Sequence, residues 1–159
     1  MKIGNLTKLI VAILICEFAG IIGSVFTTPS ISTWYASLNK PSFSPPNWIF
    51  FPVWTTLFLM MGISLYLVWN KMPKNKDAKK SLMVFGSQLA LNVLWSVLFF
   101  GLRSPFYGLV EIIFLWLAIA LTILKFYRIS KNAGFLLVPY ILWVTFATFL
   151  NYSVWILNP

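Results

Sequence analysis

Five long apolar runs, separated by shorter polar or proline-containing breaks, dominate the chain. They cover about 6–26, 47–70, 81–101, 105–127 and 133–157 and contain few charges. A helix rises ~1.5 Å per residue, so about 20 such residues span ~30 Å of hydrocarbon. The pattern predicts an all-α fold, an integral membrane bundle of five transmembrane helices forming a single domain over 1–159. The first run contains Glu17 and lacks a small-x-small cleavage site before a polar mature start, so it reads as a retained span and not a removable signal peptide.

The connections differ in length. Residues 27–46 contain Pro29, Pro41, Pro45 and Pro46, and proline lacks a backbone donor and clashes with the preceding turn, so the stretch reads as a long connecting loop and not as more helix. Within it, Ser30 to Leu38 can make one short helix, capped by Ser30 or Ser32 and stopped at Lys40-Pro41. The other breaks are short, which predicts that consecutive spans are antiparallel neighbours. No internal repeat is evident, against the paired halves of many secondary transporters.

Charge changes the picture next. The net charge of +9 comes from twelve basic residues against three acidic ones, but the bases form no stripe suited to nucleic acid. Ten of them (Lys2, Lys8, Lys71, Lys74, Lys76, Lys79, Lys80, Lys125, Arg128 and Lys131) fall on one side of the predicted membrane, leaving Lys40 and Arg103 on the other. Lys and Arg are retained on the cytoplasmic side during insertion, so the expected partner is membrane lipid. The N-terminus is expected in the cytoplasm, with the long first connection and the C-terminus opposite.

The inventory of reactive groups is narrow. One cysteine, Cys16, and no histidine exclude an internal disulfide and point away from metal chemistry, so no metal site is expected. There is no glycine-rich phosphate loop, no Ser-His-Asp set and no pair of carboxylates at helical spacing. These gaps leave few candidates for general acid-base chemistry. Glu17 and Glu111 lie within spans, where an ionisable group is either functional or a protonated carboxyl bonded between helices. Arg103 suits the end of a span or a phosphate headgroup.

Spacing then selects candidate side chains. Gln88, Asn92, Trp95 and Ser96 share one face of the third span, either to bond neighbouring helices or to orient a ligand as well. In the fifth span Pro139 cannot donate to the carbonyl of Phe135, predicting a kink, and Trp143, Ala147 and Asn151 follow on one face at intervals of four. A large ring beside a small residue makes a recess, or simply a packing contact. Trp54, Trp95, Trp116 and Trp143 fall deep in their spans, where an indole N–H needs a partner. Trp34, Tyr35, Trp48 and Trp155 fall at the expected interface, where such rings anchor.

Three stretches carry a resemblance: 34–48 (WYASLNKPSFSPPNW), 91–96 (LNVLWS), and 133–143 with 146–151 (AGFLLVPYILW and FATFLN). Taken in order over nearly the whole chain, they resemble the TspO/MBR family of tryptophan-rich sensory proteins and translocator proteins, the peripheral benzodiazepine receptors. The resemblance implies a five-helix bundle, usually a homodimer, whose first loop caps a pocket for porphyrins such as protoporphyrin IX and for benzodiazepine-site drugs, with no cofactor required. It places Tyr35, Pro45, Trp54, Gln88, Asn92, Trp95, Trp143 and Ala147 at the ligand, in tetrapyrrole or stress signalling. Some bacterial members imply light-dependent degradation of porphyrin, for which Trp54 and Trp143 are the candidate electron donors, and transport of hydrophobic ligands is the other alternative. The cholesterol pattern of animal members is incomplete here, since no base follows Tyr152. For a dimer, Gly86, Ala90 and Gly101 of the third span compete with Ala19, Gly20, Gly23 and Ser24 of the first.

Overall fold

The computed structural model describes residues 4–72 and 76–159, apart from the Lys76 side chain. Seven α-helices follow in order: α1 (Asn5–Ile31), α2 (Trp34–Ser37), α3 (Asn47–Trp69), α4 (Lys76–Ser96), α5 (Pro105–Ile129), α6 (Lys131–Leu136) and α7 (Val138–Leu157). A π turn, Val97–Gly101, prolongs α4. Five segments of 23 to 27 residues are long and apolar enough to cross a membrane, the fifth being α6 and α7 together. The outer surface carries Leu14, Phe18, Leu117, Leu124 and Leu142, all exposed. A surface as apolar as the interior fits hydrocarbon as the solvent.

The helices form a ring. Span one (α1) packs on span two (α3) and span three (α4); span three packs on span four (α5), which packs on α6 and α7; α3 closes the ring through α6. Spans two and three therefore touch at few positions, with span one between them, and are not the close neighbours expected from a short connection. Close approach at small residues fixes the ring on the lysine-rich face. A Cβ on Gly62 would stand 2.6 Å from Ile13 Cα, and one on Gly134 2.7 Å from Tyr127 Cβ. Ser64 Oγ donates to the Ala133 carbonyl at 2.8 Å, tying α3 to α6. Phe85 and Phe126 stack at 5.4 Å, joining α4 to α5.

Two interruptions shape the opposite, loop-bearing face. The kink expected at Pro139 is a full break: α6 ends at Leu136 and α7 restarts at Val138, with Pro139 in its first turn, where a missing N–H costs nothing. The break lets α6 rest on α3 while α7 departs from it. At the end of α4, the Leu102 N–H donates to the Val97 carbonyl at 2.8 Å, five residues back, so the turn is one residue wider than an α-turn. Arg103, exposed and at φ 52°, then reverses the chain, and Ser104 caps α5 by accepting from the Tyr107 N–H.

The capping loop departs from its sequence reading. α1 runs through Pro29 to Ile31, five residues beyond the expected end, because a proline near the C-terminus of a helix removes only one bond. Ser30 is consequently no cap; its Oγ donates to the Phe100 carbonyl at 3.2 Å and pins α1 to the π turn. The short helix is only Trp34–Ser37, preceded by Thr33, whose side chain bonds the Pro29 carbonyl and caps nothing in α2. Lys40 Nζ closes this helix by donating to the Tyr35 carbonyl at 2.7 Å, with its charge 4.8 Å from the Tyr35 ring centroid. Asn39 and Asn158 then exchange two bonds of 3.0 and 2.9 Å, stapling the loop to the end of the chain.

Candidate ligand-binding cavity

Between α1, α3, α4 and α7, beneath α2, lies a cavity of about 380 Å³, within the range of small-molecule sites. Its place follows from the two interruptions. α7 stands away from α3 above the proline break, and the π turn carries Phe99 and Phe100 under the loop, where Trp34 and Tyr35 pack on both rings. Trp34 and Tyr35 therefore face inward and are not interfacial anchors, whereas Trp48 is 72% exposed. Burial pushes the Tyr35 phenol above its usual value, a shift that a hydrogen bond with Ser44 partly offsets.

Six of the eight residues singled out by sequence meet on the wall: Tyr35, Trp54, Asn92, Trp95, Trp143 and Ala147. Pro45 and Gln88 are not part of it. Pro45 is half-buried in the loop. Gln88 is one turn below Asn92 and buried in the core, its Nε2 3.9 Å from the Met61 sulfur and its Oε1 without a partner among the described residues. The shared face of the third span is real, since Gln88, Asn92 and Ser96 are all buried, but its lower end enters packed helix.

The tryptophans divide by what their N–H groups do. Trp95 Nε1 donates to Asn151 Oδ1 at 3.1 Å, and its ring stacks on Phe99 at 5.1 Å. Asn151 in turn donates to the Pro105 carbonyl at 2.7 Å, so Trp95 is fixed between α4, α5 and α7. Trp116 Nε1 donates to Thr145 on the outer side of the bundle. Trp54 and Trp143 lie against Phe58 and Phe50, in ring contacts of 5.7 and 6.2 Å, and among the described residues neither indole N–H has a protein acceptor. Neither nitrogen is sealed in the interior. Two free donors thus flank the cavity, one from α3 and one from α7.

The floor supplies acceptors. Asn92 Nδ2 donates downward to Tyr140 Oη at 2.8 Å, leaving Oδ1, which is not sealed either, as an acceptor toward the cavity. Glu17 lies on the wall one turn before Gly20, and among the described residues no lysine or arginine lines the cavity. Gly20 and Gly23 let α1 approach Phe58 and Ser96: added Cβ atoms would stand 2.6 and 3.1 Å from those side chains. Above Gly20, α1 and α3 diverge. Ile21, Ser24 and Thr28 on one helix and Phe51 and Thr55 on the other line the cavity while remaining exposed on the outside, so it opens sideways between α1 and α3.

Sequence reasoning missed three parts of this arrangement. Glu17 was legible as an intramembrane acid but not as a wall residue. The Phe99-Phe100 pair and the Asn39–Asn158 staple carried no signal, because a π turn and a contact across 119 positions are products of the assembled bundle. Glu111, the other acid within a span, is buried away from the cavity, and neither of its oxygens has a partner among the described residues. Among those residues no group of acids, cysteines and histidines is placed to hold a metal ion.

Comparison with known proteins agrees with the motifs. The family model of TspO/MBR matches residues 12–156. The chain is 47% identical over 154 residues to the tryptophan-rich protein TspO of Archaeoglobus fulgidus, covering 97% of this chain and 99% of that one. It is 48% identical over 145 residues to the protein of the same name from Chlorobaculum tepidum, covering 91% and 92%. To the translocator protein of Homo sapiens it is 42% identical over 135 residues, covering 84% and 80%. With five membrane-crossing helices, a loop-capped cavity and these relatives, the chain belongs to the TspO/MBR family.

Proposed function

We propose that the cavity binds a flat hydrophobic ligand of the porphyrin or tetrapyrrole class, and that benzodiazepine-site drugs occupy the same space. The supporting observation is the pair of indole N–H groups of Trp54 and Trp143, without an acceptor among the described residues, on the α3 and α7 sides of a cavity rich in aromatic rings. Such donors cost free energy in an apolar surrounding unless a guest accepts from them. The aromatic rings supply stacking area and Asn92 Oδ1 supplies an acceptor. The cavity contains no basic side chain, so porphyrin carboxylates would lie outside it, at the loop or the side opening. Protoporphyrin IX titrated into detergent-solubilised protein is expected to quench tryptophan fluorescence saturably; no quenching would overturn the reading.

The same two rings favour one second reading, light-dependent degradation of the bound porphyrin. Excited porphyrin would take an electron from Trp54 or Trp143 on the cavity wall and the reduced ring would react with dissolved oxygen, the oxidant for its opening; product analysis under illumination, with and without oxygen, separates this from binding. No cofactor is required for either reading. The charge asymmetry supports a cytoplasmic N-terminus and a cavity on the opposite side, which labelling of a cysteine placed at Lys71 from either side would check. A homodimer would form along Gly86, which has no atom within 4 Å of an added Cβ, and the exposed Ala90. The competing face of span one is already used within the protomer, through Gly20 and Gly23.

A further inference from the structure

We propose that Glu17 makes the cavity selective for ligands bearing an ammonium or N–H donor, received from the bilayer through the opening between α1 and α3. The inference rests on the cavity being a ligand site, and it names a class of guest beyond tetrapyrroles: planar lipophilic amines. Three observations carry it. First, in a chain of net charge +9, the cavity wall has, among the described residues, one carboxyl and no lysine or arginine. The two basic residues on the loop-bearing face offer no compensation, because Lys40 is engaged by the carbonyls of Tyr35, Ala36 and Leu38 and Arg103 is exposed.

Second, Glu17 is half-buried and has no hydrogen-bond or ion-pair partner among the described residues, although it lies twelve residues into the 27-residue α1, near the middle of the span. An ionisable group at that depth is costly unless a partner meets it. Glu111 shows the contrast: it is enclosed by packed helices, where no ligand can reach it, whereas Glu17 faces the cavity and its side opening. Third, a free polar atom of the same lining, Asn92 Oδ1, is also an acceptor. Two acceptors at the base of an aromatic slot match a ring system whose donor points inward, and a charge-assisted N–H···O bond in an apolar site is among the stronger hydrogen bonds. A carboxylate in the same position would meet only like charge.

A matched set of tricyclic probes tests the assignment: 9-aminoacridine, a cation in mildly alkaline buffer, neutral acridine, and anionic acridine-9-carboxylate. Each is titrated against the protein in a non-ionic detergent, with tryptophan quenching as the readout and protoporphyrin IX in parallel. Wild-type protein is expected to bind the cation most tightly and the anion least. In Glu17→Gln, which preserves shape, the advantage of 9-aminoacridine over acridine should fall about tenfold, while acridine affinity stays the same and Glu111→Gln leaves all three unchanged. If Glu17→Gln keeps the wild-type order while protoporphyrin IX still quenches, the role of Glu17 is overturned and the cavity stands as a ligand site. If none of the four probes quenches, both readings fall.

Discussion

The two ends of the bundle are built from the same kinds of residue and do opposite things. At the lysine-rich end, Gly62 admits Ile13, Gly134 admits Tyr127, Ser64 reaches the Ala133 carbonyl, and the stacked Phe85 and Phe126 fill the middle. At the loop-bearing end, equally apolar helices enclose about 380 Å³ of space. The difference is in the backbone, not the composition. A proline break turns α7 away from α3, and a π turn sets two phenylalanines under a stapled loop. Cohesion comes from small residues at close approach, and the hollow comes from helices that are prevented from closing.

The largest effect is expected where the packed end is broken. Gly62→Ala sets a methyl carbon 2.6 Å from the Ile13 Cα, and backbone cannot step aside as a side-chain tip can. Overpacking of this kind costs about 1–3 kcal/mol, so the thermal midpoint in detergent, followed by circular dichroism, should drop clearly below wild type. A wild-type midpoint would mean that α1 and α3 have slack.

The hollow end should respond in the reverse sense, in binding and not in stability. Ala147→Leu adds three carbons to the cavity wall beside Trp143, and a methylene or two too many in a tight apolar site costs about tenfold in affinity. Protoporphyrin IX quenching should weaken by that factor while the thermal midpoint holds; equal loss of both would make Ala147 a packing residue.

Trp143→Phe is a finer probe. It keeps an apolar ring but deletes the free N–H and some stacking area, for a loss of roughly 0.5–1.5 kcal/mol in binding. Photodegradation, where present, should fall much further than affinity, since Phe is a far poorer electron donor. Unchanged affinity and unchanged degradation, with an intact circular dichroism spectrum, would take Trp143 out of the site.

The smallest effect is on the loop. Burial raises the Tyr35 phenol, so ionisation favours the undocked loop. The stability this residue gives the docked loop is whole below the ordinary tyrosine value of about 10 and declines as pH rises through the raised one. Proteolysis within 38–46 should therefore quicken only in alkaline buffer, and Tyr35→Phe should abolish that dependence.

Much of this molecule is written in one dimension. Five apolar runs dictate five helices because hydrocarbon offers the backbone no other partner, and proline at position 139 dictates an interruption wherever its helix lies. Helical spacing put Asn92, Trp95, Trp143, Ala147 and Asn151 on inward faces, since a face repeats every three to four residues whatever the neighbours are. Tertiary structure alone decided how far along those faces the space extends: Asn92 meets the cavity and Gln88, one turn lower, meets packed helix. It also decided that Trp95 spends its N–H on Asn151 while Trp54 and Trp143 keep theirs, and that Glu17 borders the hollow while Glu111 is enclosed. These outcomes depend on the distance between helices, which the π turn, the proline break and the glycine contacts set together, and no single segment encodes a distance to another.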